Sequence, residues 1–477
     1  MKLLRNIIIA VIVLMTTFSN GKVFAESHSS TIFSSRSRHE IKILTHGLAS
    51  LKERLMMIES AKKSVDAEYF IFNADESGKL IIDAMIKKSK VGVRVRLVLD
   101  SMFGKRQINT HIIKHLKDQG VEVRYFNDMA LVKGFNNKFR NHRKSLIIDG
   151  EMALVGGRNV GNEYFDMGKK FSFFDRDLVV NGEIVTDIEL SFNELWDSEW
   201  TLAPAGPVKP AATIGRNEPN PAYVSYKKLE RAADNFLNMT VGLNYLRALE
   251  TVGEKERIKS VITSCENISF ITERPVADDS VEQERVINNY LINKIQNAQK
   301  SVVIESPYFT LNNQTEVILD DALNRDVDVS ILSNGANSTD VKIAAAAIDK
   351  VLRKWFQKGV NFYLYNGEKL ADYELSDIFP EDATTALHAK TFIFDDKDIL
   401  IGTHNFDFIS AKYNDESLIE CSGAPEAFLA KVKEDIKKRI DQSIAIRNER
   451  DVDELGDSIL YNAMKGISGL FYDDMVN

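Results

Sequence analysis

The stretch His142-Arg143-Lys144-Ser145-Leu146-Ile147-Ile148-Asp149, followed by Gly156-Gly157-Arg158-Asn159, returns 246 positions later as His388-Ala389-Lys390-Thr391-Phe392-Ile393-Phe394-Asp395 and Gly402-Thr403-His404-Asn405. In both copies Lys follows His by two, Asp follows Lys by five, Gly follows Asp by seven and Asn follows Gly by three. The chain has eight histidines, and two of them head the same array. A duplicated half accounts for this, bringing two imidazoles, two ammonium groups and two carboxamides to one place. The apolar residues between these markers read as paired strands, Ser145 to Ile148 and Met152 to Val155, with turns at Asp149-Gly150 and Asp395-Asp396. Such a hairpin sets the His/Lys end of one strand beside the Gly/Asn end of the next.

The repetition extends outward. Ala61-Lys62-Lys63-Ser64-Val65 answers to Ala298-Gln299-Lys300-Ser301-Val302, and Gly120-Val121-Glu122-Val123 to Gly359-Val360-Asn361-Phe362, at offsets of 237 and 239. Strand-like runs at Val93 to Leu99 and Val327 to Leu332 follow helical spacing at Lys79 to Lys90 and Thr315 to Leu323. This alternation implies an α/β sandwich with a largely parallel sheet flanked by helices. Five of the nine prolines fall between Pro204 and Pro221, which reads as a linker over 202–222 between a first half at 40–201 and a second at 223–446.

With 44% hydrophobic and 27% charged residues over 477 positions, the composition is that of a folded globular protein. Lys2 and Arg5 precede an apolar run from Ile7 to Phe18, and Val23-Phe24-Ala25 offers small residues at −3 and −1, so residues 1–25 read as a signal peptide. The alternative is a retained anchor. Export to a periplasm or to the outside is expected, with membrane association. Cleavage removes Lys2, Arg5 and Lys22 and no acid, taking the formal charge from −8 to −11. That balance disfavours a general nucleic-acid binder. Cys265 and Cys421 lack metal-ligand spacing; pairing in an oxidising compartment and two buried free thiols are both open. In the tail, 447–477, Leu455, Ile459, Leu460, Met464, Ile467, Leu470 and Phe471 share one helical face, suited to docking on the core or lying on a bilayer.

Imidazole is neutral enough near pH 7 to attack and protonated enough to donate. Two facing imidazoles can divide those jobs on a phosphodiester: one makes a phosphohistidine and the other protonates the departing alkoxide. Lys144, Lys390, Asn159 and Asn405 offer cations and amide donors for the non-bridging oxygens, so no metal or other cofactor is called for. Gly156, Gly157 and Gly402 would let backbone approach the anion. An attacking nitrogen needs its opposite ring N–H held by an acceptor, and Glu416 and Asp177 are assigned that task. Asp149 and Asp395 are read as shaping turns. Arg158 and His404, beside the asparagines, are open to a headgroup contact or a supporting one.

The two arrays resemble the HKD motif of the phospholipase D superfamily, and Gly156-Gly157-Arg158-Asn159-Val160-Gly161-Asn162-Glu163-Tyr164-Phe165 and Ser306-Pro307-Tyr308-Phe309 are similar to its bacterial cardiolipin synthase branch. The resemblance implies two tandem α/β/α halves with pseudo-twofold symmetry, mixed but largely parallel sheets, a phosphatidyl-histidine intermediate and metal-independent chemistry. It places the orienting acid at Glu416 and Asp177. Thr403 departs from the family's usual serine but keeps a hydroxyl. A phospholipid at a membrane surface is the implied partner, and a monomer is compatible with the site. The competing readings are a secreted nuclease of the same superfamily and a non-catalytic lipid-binding protein.

Overall fold

Each copy of the array lies within a nine-stranded sheet, and the two sheets share one topology. In the computed structural model, residues 32–128, 138–214, 218–276, 285–335, 337–339, 348, 352–367, 383–448 and 450–451 are described. The signal-peptide and tail-helix readings therefore lie outside the described residues. The first sheet runs Thr201–Leu202, Val121–Phe126, Arg94–Asp100, Ser64–Tyr69, Ser145–Ile148, Met152–Gly156, Asp177–Asn181, His39–Leu44, Ile262–Cys265. The second runs Ser443–Ile446, Asn361–Tyr365, Asp328–Asn334, Ser301–Glu305, Thr391–Phe394, Asp398–Gly402, Ser417–Cys421, Ile268–Thr272, Ile32–Ser35.

The sheets are mixed, but parallel pairing is confined to three strands in each: 64–69, 94–100 and 121–126, then 301–305, 328–334 and 361–365. These are the strands separated by helices, since a parallel neighbour requires a crossover. Both motif hairpins pair antiparallel, as do the strands beyond them. The expected predominance of parallel strands is therefore corrected: a hairpin turn of three residues, 149–151 in one copy and 395–397 in the other, reverses direction, and the array is built on such a turn.

The halves also exchange edges. Ile32–Ser35, at the start of the first half, pairs with Ile268–Thr272 in the second sheet, whereas Ile262–Cys265 pairs with His39–Leu44 in the first. Outer helices Gly47–Ser60, Glu76–Ser89 and Thr110–Asp118 cover one face of the first sheet, and Val286–Asn297 and Asn313–Asn324 one face of the second. Between the sheets, Ile184–Asp197 and Glu426–Ile440 bury Phe192, Leu195, Phe428 and Val432 in a core shared with Ile147, Val155, Ile401 and Ile419. The stretch read as a linker carries a small ladder, Thr213–Ile214 against Glu218–Pro219, before the helix Pro221–Leu237. Among the described residues no helix is long and apolar enough to cross a membrane.

Candidate active site

Short ladders between the halves deliver the histidines. Arg140–Asn141 pairs parallel with Asn414–Asp415, and the His142 N–H donates to the Asp415 carbonyl at 2.9 Å. In the counterpart, Thr384–Leu387 pairs parallel with residues 171–174, and the His388 N–H donates to the Phe174 carbonyl at 2.7 Å. Each histidine thus hangs on a segment of the opposite half, just where that half presents an acid.

The acids cross over accordingly. His142 Nδ1 lies 2.8 and 2.9 Å from the two Glu416 oxygens, and His388 Nδ1 lies 2.5 Å from Asp175 Oδ2. The second acid is therefore Asp175 rather than Asp177. Sheet register gives the reason: Gly156 pairs with Asp177 while Gly402 pairs with Leu418, so Asp177 corresponds to Leu418 and Asp175 to Glu416. Asp177 is instead enclosed by Ser50 Oγ at 2.5 Å and by Arg54 and Arg158 at 3.0 Å each. The sequence offered no common register for this choice, since Glu416 follows His388 by 28 residues and Asp175 follows His142 by 33; the ladders that precede the acids select Asp175.

The two motif lysines are buried with the rings. Lys144 Nζ donates to the His142 carbonyl at 2.5 Å, and Lys390 Nζ approaches both ring nitrogens of His388, at 2.9 and 3.1 Å. Burial pushes the Lys144 pKa down to about 7, with Glu416 opposing and Lys390 adding to the fall. Burial likewise takes His142 down to about 4; Glu416 opposes this, and Lys144 and Lys390 reinforce it. Glu416 is lowered as well: burial would raise it, but His142, His404 and Lys144 outweigh burial and hold it at about 2. An ionised Glu416 beside a neutral His142 fixes the proton on Nδ1 and leaves the Nε2 lone pair for a substrate. Asp175 is raised by burial to about 6, against the pull of Lys390 and Arg158. Lys390 lies near enough to His142, and Asp175 to Lys144, for their charges to act across the two halves.

Both asparagines are buried. Asn159 Oδ1 accepts the Ile71 N–H at 3.0 Å, whereas Asn405 Oδ1 has no hydrogen-bond partner among the described residues. Aromatic rings wall the imidazoles: Phe70 meets His142 edge-on at 4.9 Å, and Tyr164 and Phe173 lie 5.3 and 4.9 Å from His388. Arg158 is fully buried and donates to the carbonyls of Leu44, Thr45, Tyr164 and Asp175 as well as to Asp177, so it supports the acid-bearing segment and has no reach to a headgroup. His404 is also buried, near enough to Glu416 and His142 for their charges to act on it.

The remaining motif positions serve the scaffold. Asp149, at φ 56°, accepts the N–H groups of Lys62, Lys63 and Ser64, and Asp395, at φ 53°, those of Gln299, Lys300 and Ser301. Burial disfavours their charge, but these amides outweigh it and keep both carboxyls below the usual range. The glycines make room for neighbours in the sheet rather than for an anion. A Cβ on Gly157 would sit 2.1 Å from Asp175 Oδ1, on Gly156 2.2 Å from Asp177 Oδ1, and on Gly402 2.1 Å from the Ser417 carbonyl. Thr403 Oγ1 accepts the Ser417 N–H at 2.9 Å, clamping the residue after Glu416.

With this geometry stand three comparisons. A family model described as "Cardiolipin synthase, PLD-like domain" matches residues 55–196 and 291–440. Cardiolipin synthase 1 of Bacillus anthracis is 29% identical over 384 residues, covering 80% of this chain and 62% of its own; the chain thus spans under two thirds of that relative's length. Cardiolipin synthase C of Escherichia coli K12 is 27% identical over 391 residues, covering 78% and 79%. Among solved structures, phosphatidylserine synthase of Haemophilus influenzae Rd KW20 superposes with a TM-score of 0.63 at 14% identity, covering 92% of this chain and 95% of that one, which is a likeness of fold. Taken with the paired arrays, the match of the family model to both halves means that the chain belongs to the phospholipase D-like domain family described as cardiolipin synthase.

Proposed function

We propose that this protein transfers phosphatidyl groups between glycerophospholipids through a covalent phosphohistidine, with hydrolysis by water as the competing fate. The carrying observation is the crosswise pairing of His142 with Glu416 and His388 with Asp175, which orients one imidazole from each half on an acid of the other. Neutral His142 attacks phosphorus with Nε2, the P–O bond to the headgroup breaks, and His388 gives its proton to the leaving alkoxide. His388, now neutral, then takes the proton of an incoming hydroxyl; that oxygen bonds phosphorus and the P–N bond to His142 breaks. Lys144, Lys390 and the asparagine amides compensate charge on the non-bridging oxygens.

The names of the relatives, both cardiolipin synthases, support cardiolipin as the product of the transfer, and phosphatidylglycerol is the probe chosen for it. Action outside the cytoplasm, at a bilayer surface, is supported by the signal-like first 25 residues and by the Cys265–Cys421 bond, since disulfides persist in oxidising compartments. Mass spectrometry of phosphatidylglycerol vesicles incubated with purified protein tests the proposal. Cardiolipin with glycerol is expected, with phosphatidic acid as the hydrolytic by-product, and neither from His142→Ala. Vesicles left unchanged while DNA is cut would replace the lipid reading with the nuclease one.

A further inference from the structure

We propose that Ser410 and Asn414 are positioning residues that fix the Glu416 carboxylate on His142 and so make the two histidine–acid pairs unequal. The inference rests on the phosphohistidine reading above. Ser410 is buried on the short helix Phe408–Lys412, whose first turn is capped by Asp407 accepting the Ser410 N–H at 2.8 Å. Its hydroxyl donates to Glu416 Oε1 at 2.8 Å, and its oxygen accepts the Asn405 N–H at 3.3 Å. Asn414 Nδ2 donates to the same Oε1 at 3.2 Å. One hydroxyl therefore ties the motif asparagine to the acid that orients His142.

The opposite half handles its acid differently. Counting from the arrays, Ser410 corresponds to Tyr164, and by the ladders Asn414 corresponds to Phe173. Tyr164 and Phe173 stack on each other at 4.8 Å and pack their rings against His388. Asp175 takes the Arg176 backbone N–H at 2.8 Å. A glutamate has one more rotatable bond than an aspartate, and its terminal torsion is broad. Donors on two sides of Oε1 remove that freedom, so both Glu416 oxygens stay within reach of Nδ1. The direction of charge agrees, with Glu416 held at about 2 and Asp175 raised by burial to about 6. The charges facing His142 are Glu416, Lys144 and Lys390, with His404 behind.

The test uses Ser410→Ala, Asn414→Ala and the double variant in the full chain. Loss of such supporting partners lowers activity by roughly 10–100-fold, and it is expected in kcat with KM for phosphatidylglycerol unchanged, while Ser410→Thr keeps most of the activity. Nitrogen NMR of the histidine rings supplies a readout independent of turnover. The wild-type protein should show His142 as a single Nδ1–H tautomer, and the double variant a mixture of the two. If an alanine variant does not fold, Ser410→Cys, near in size but a weak donor, carries the same expectation. Wild-type kcat with an unchanged His142 tautomer in the double variant would overturn the role. A tautomer change in a protein that converts no lipid even as wild type would uphold the positioning and sink the proposed function instead.

Discussion

Cys265 and Cys421 are bonded to each other, with Cα atoms 6.0 Å apart, and so join the two sheets. Cys265 ends the strand lodged on the edge of the first sheet, and Cys421 ends the strand that starts one residue after Glu416. The bond therefore ties an exchanged edge to the element carrying the acid of His142. Whether these cysteines pair was open in the sequence, because nothing local brings together residues separated by 156 positions.

Removing that bond is expected to lower stability by about 2–5 kcal/mol, the usual loss for a native disulfide closing a long loop. Denaturant unfolding of Cys265→Ser/Cys421→Ser checks this. An unchanged midpoint would show that the exchanged edge strands hold the sheets together without the cross-link.

The proposed division of labour predicts a leaving-group dependence. His388 and Asp175 are needed to protonate a poor alkoxide, so substrates that depart as p-nitrophenolate should bypass them. His388→Ala and Asp175→Asn are expected to recover most of the rate of His142 phosphorylation with a p-nitrophenyl phosphodiester. His142→Ala and Glu416→Gln should not recover; a wrong tautomer alone costs on the order of 10⁴-fold in a comparable dyad. The opposite pattern of rescue would exchange the roles of the two histidines.

The arrays were legible because spacing alone carried them: a period repeated at 246 positions survives any uncertainty about strands and helices. The predicted strands at 145–148 and 93–99 and the helix at 315–323 fall within two residues of the observed elements. The site's wiring was harder to read. Ten residues separate Tyr164 from Phe174 but five separate Ser410 from Asp415, and that slip moved the acid from Asp175 to Asp177. The edge exchange left no trace either, since alternation tells a strand which face is buried and not which neighbour it will pair with.

The histidine and lysine environments give a displaced pH profile. Attack requires neutral His142, and its pKa is pushed by burial to about 4. The acid limb of kcat/KM should then lie near 4 instead of the ordinary 6.5 or so, with activity lost as pH falls through it. Lys144, lowered by burial to about 7, loses its charge as pH rises, so the alkaline limb begins near neutrality. A pH–rate series on dispersed short-chain phosphatidylglycerol checks both limbs; an acid limb at 6.5 would mean that His142 is not shielded as the structure has it.

Charge compensation by Lys144 and Lys390 predicts turnover that persists in EDTA. Lys144→Met and Lys390→Met should each lower kcat by about 10²–10³-fold, the range for losing one donor to a developing oxyanion. Turnover restored only by an added divalent ion would show that the lysines do not carry that task.

Gly157 and Gly402 separate site from scaffold. A Cβ at Gly402 meets the Ser417 carbonyl at 2.1 Å and the Leu418 Cα at 2.9 Å, both backbone of the paired strand, so Gly402→Ala must part the hairpin from the strand that follows Glu416. At Gly157 the obstacle is the Asp175 side chain, 2.1 Å from Oδ1 and 2.8 Å from Cγ, which can rotate away at the expense of its bond to His388. Gly402→Ala is accordingly expected to destabilise the fold by about 1–3 kcal/mol or more, as overpacked cores do. Gly157→Ala should spare most of that stability while losing the lipid reaction and recovering with a p-nitrophenyl substrate, as Asp175→Asn does. Melting curves and leaving-group rescue on the two variants decide it: equal loss of stability in both would mean that Asp175 cannot turn aside, and that the glycine beside it is a packing requirement of the sheet alone.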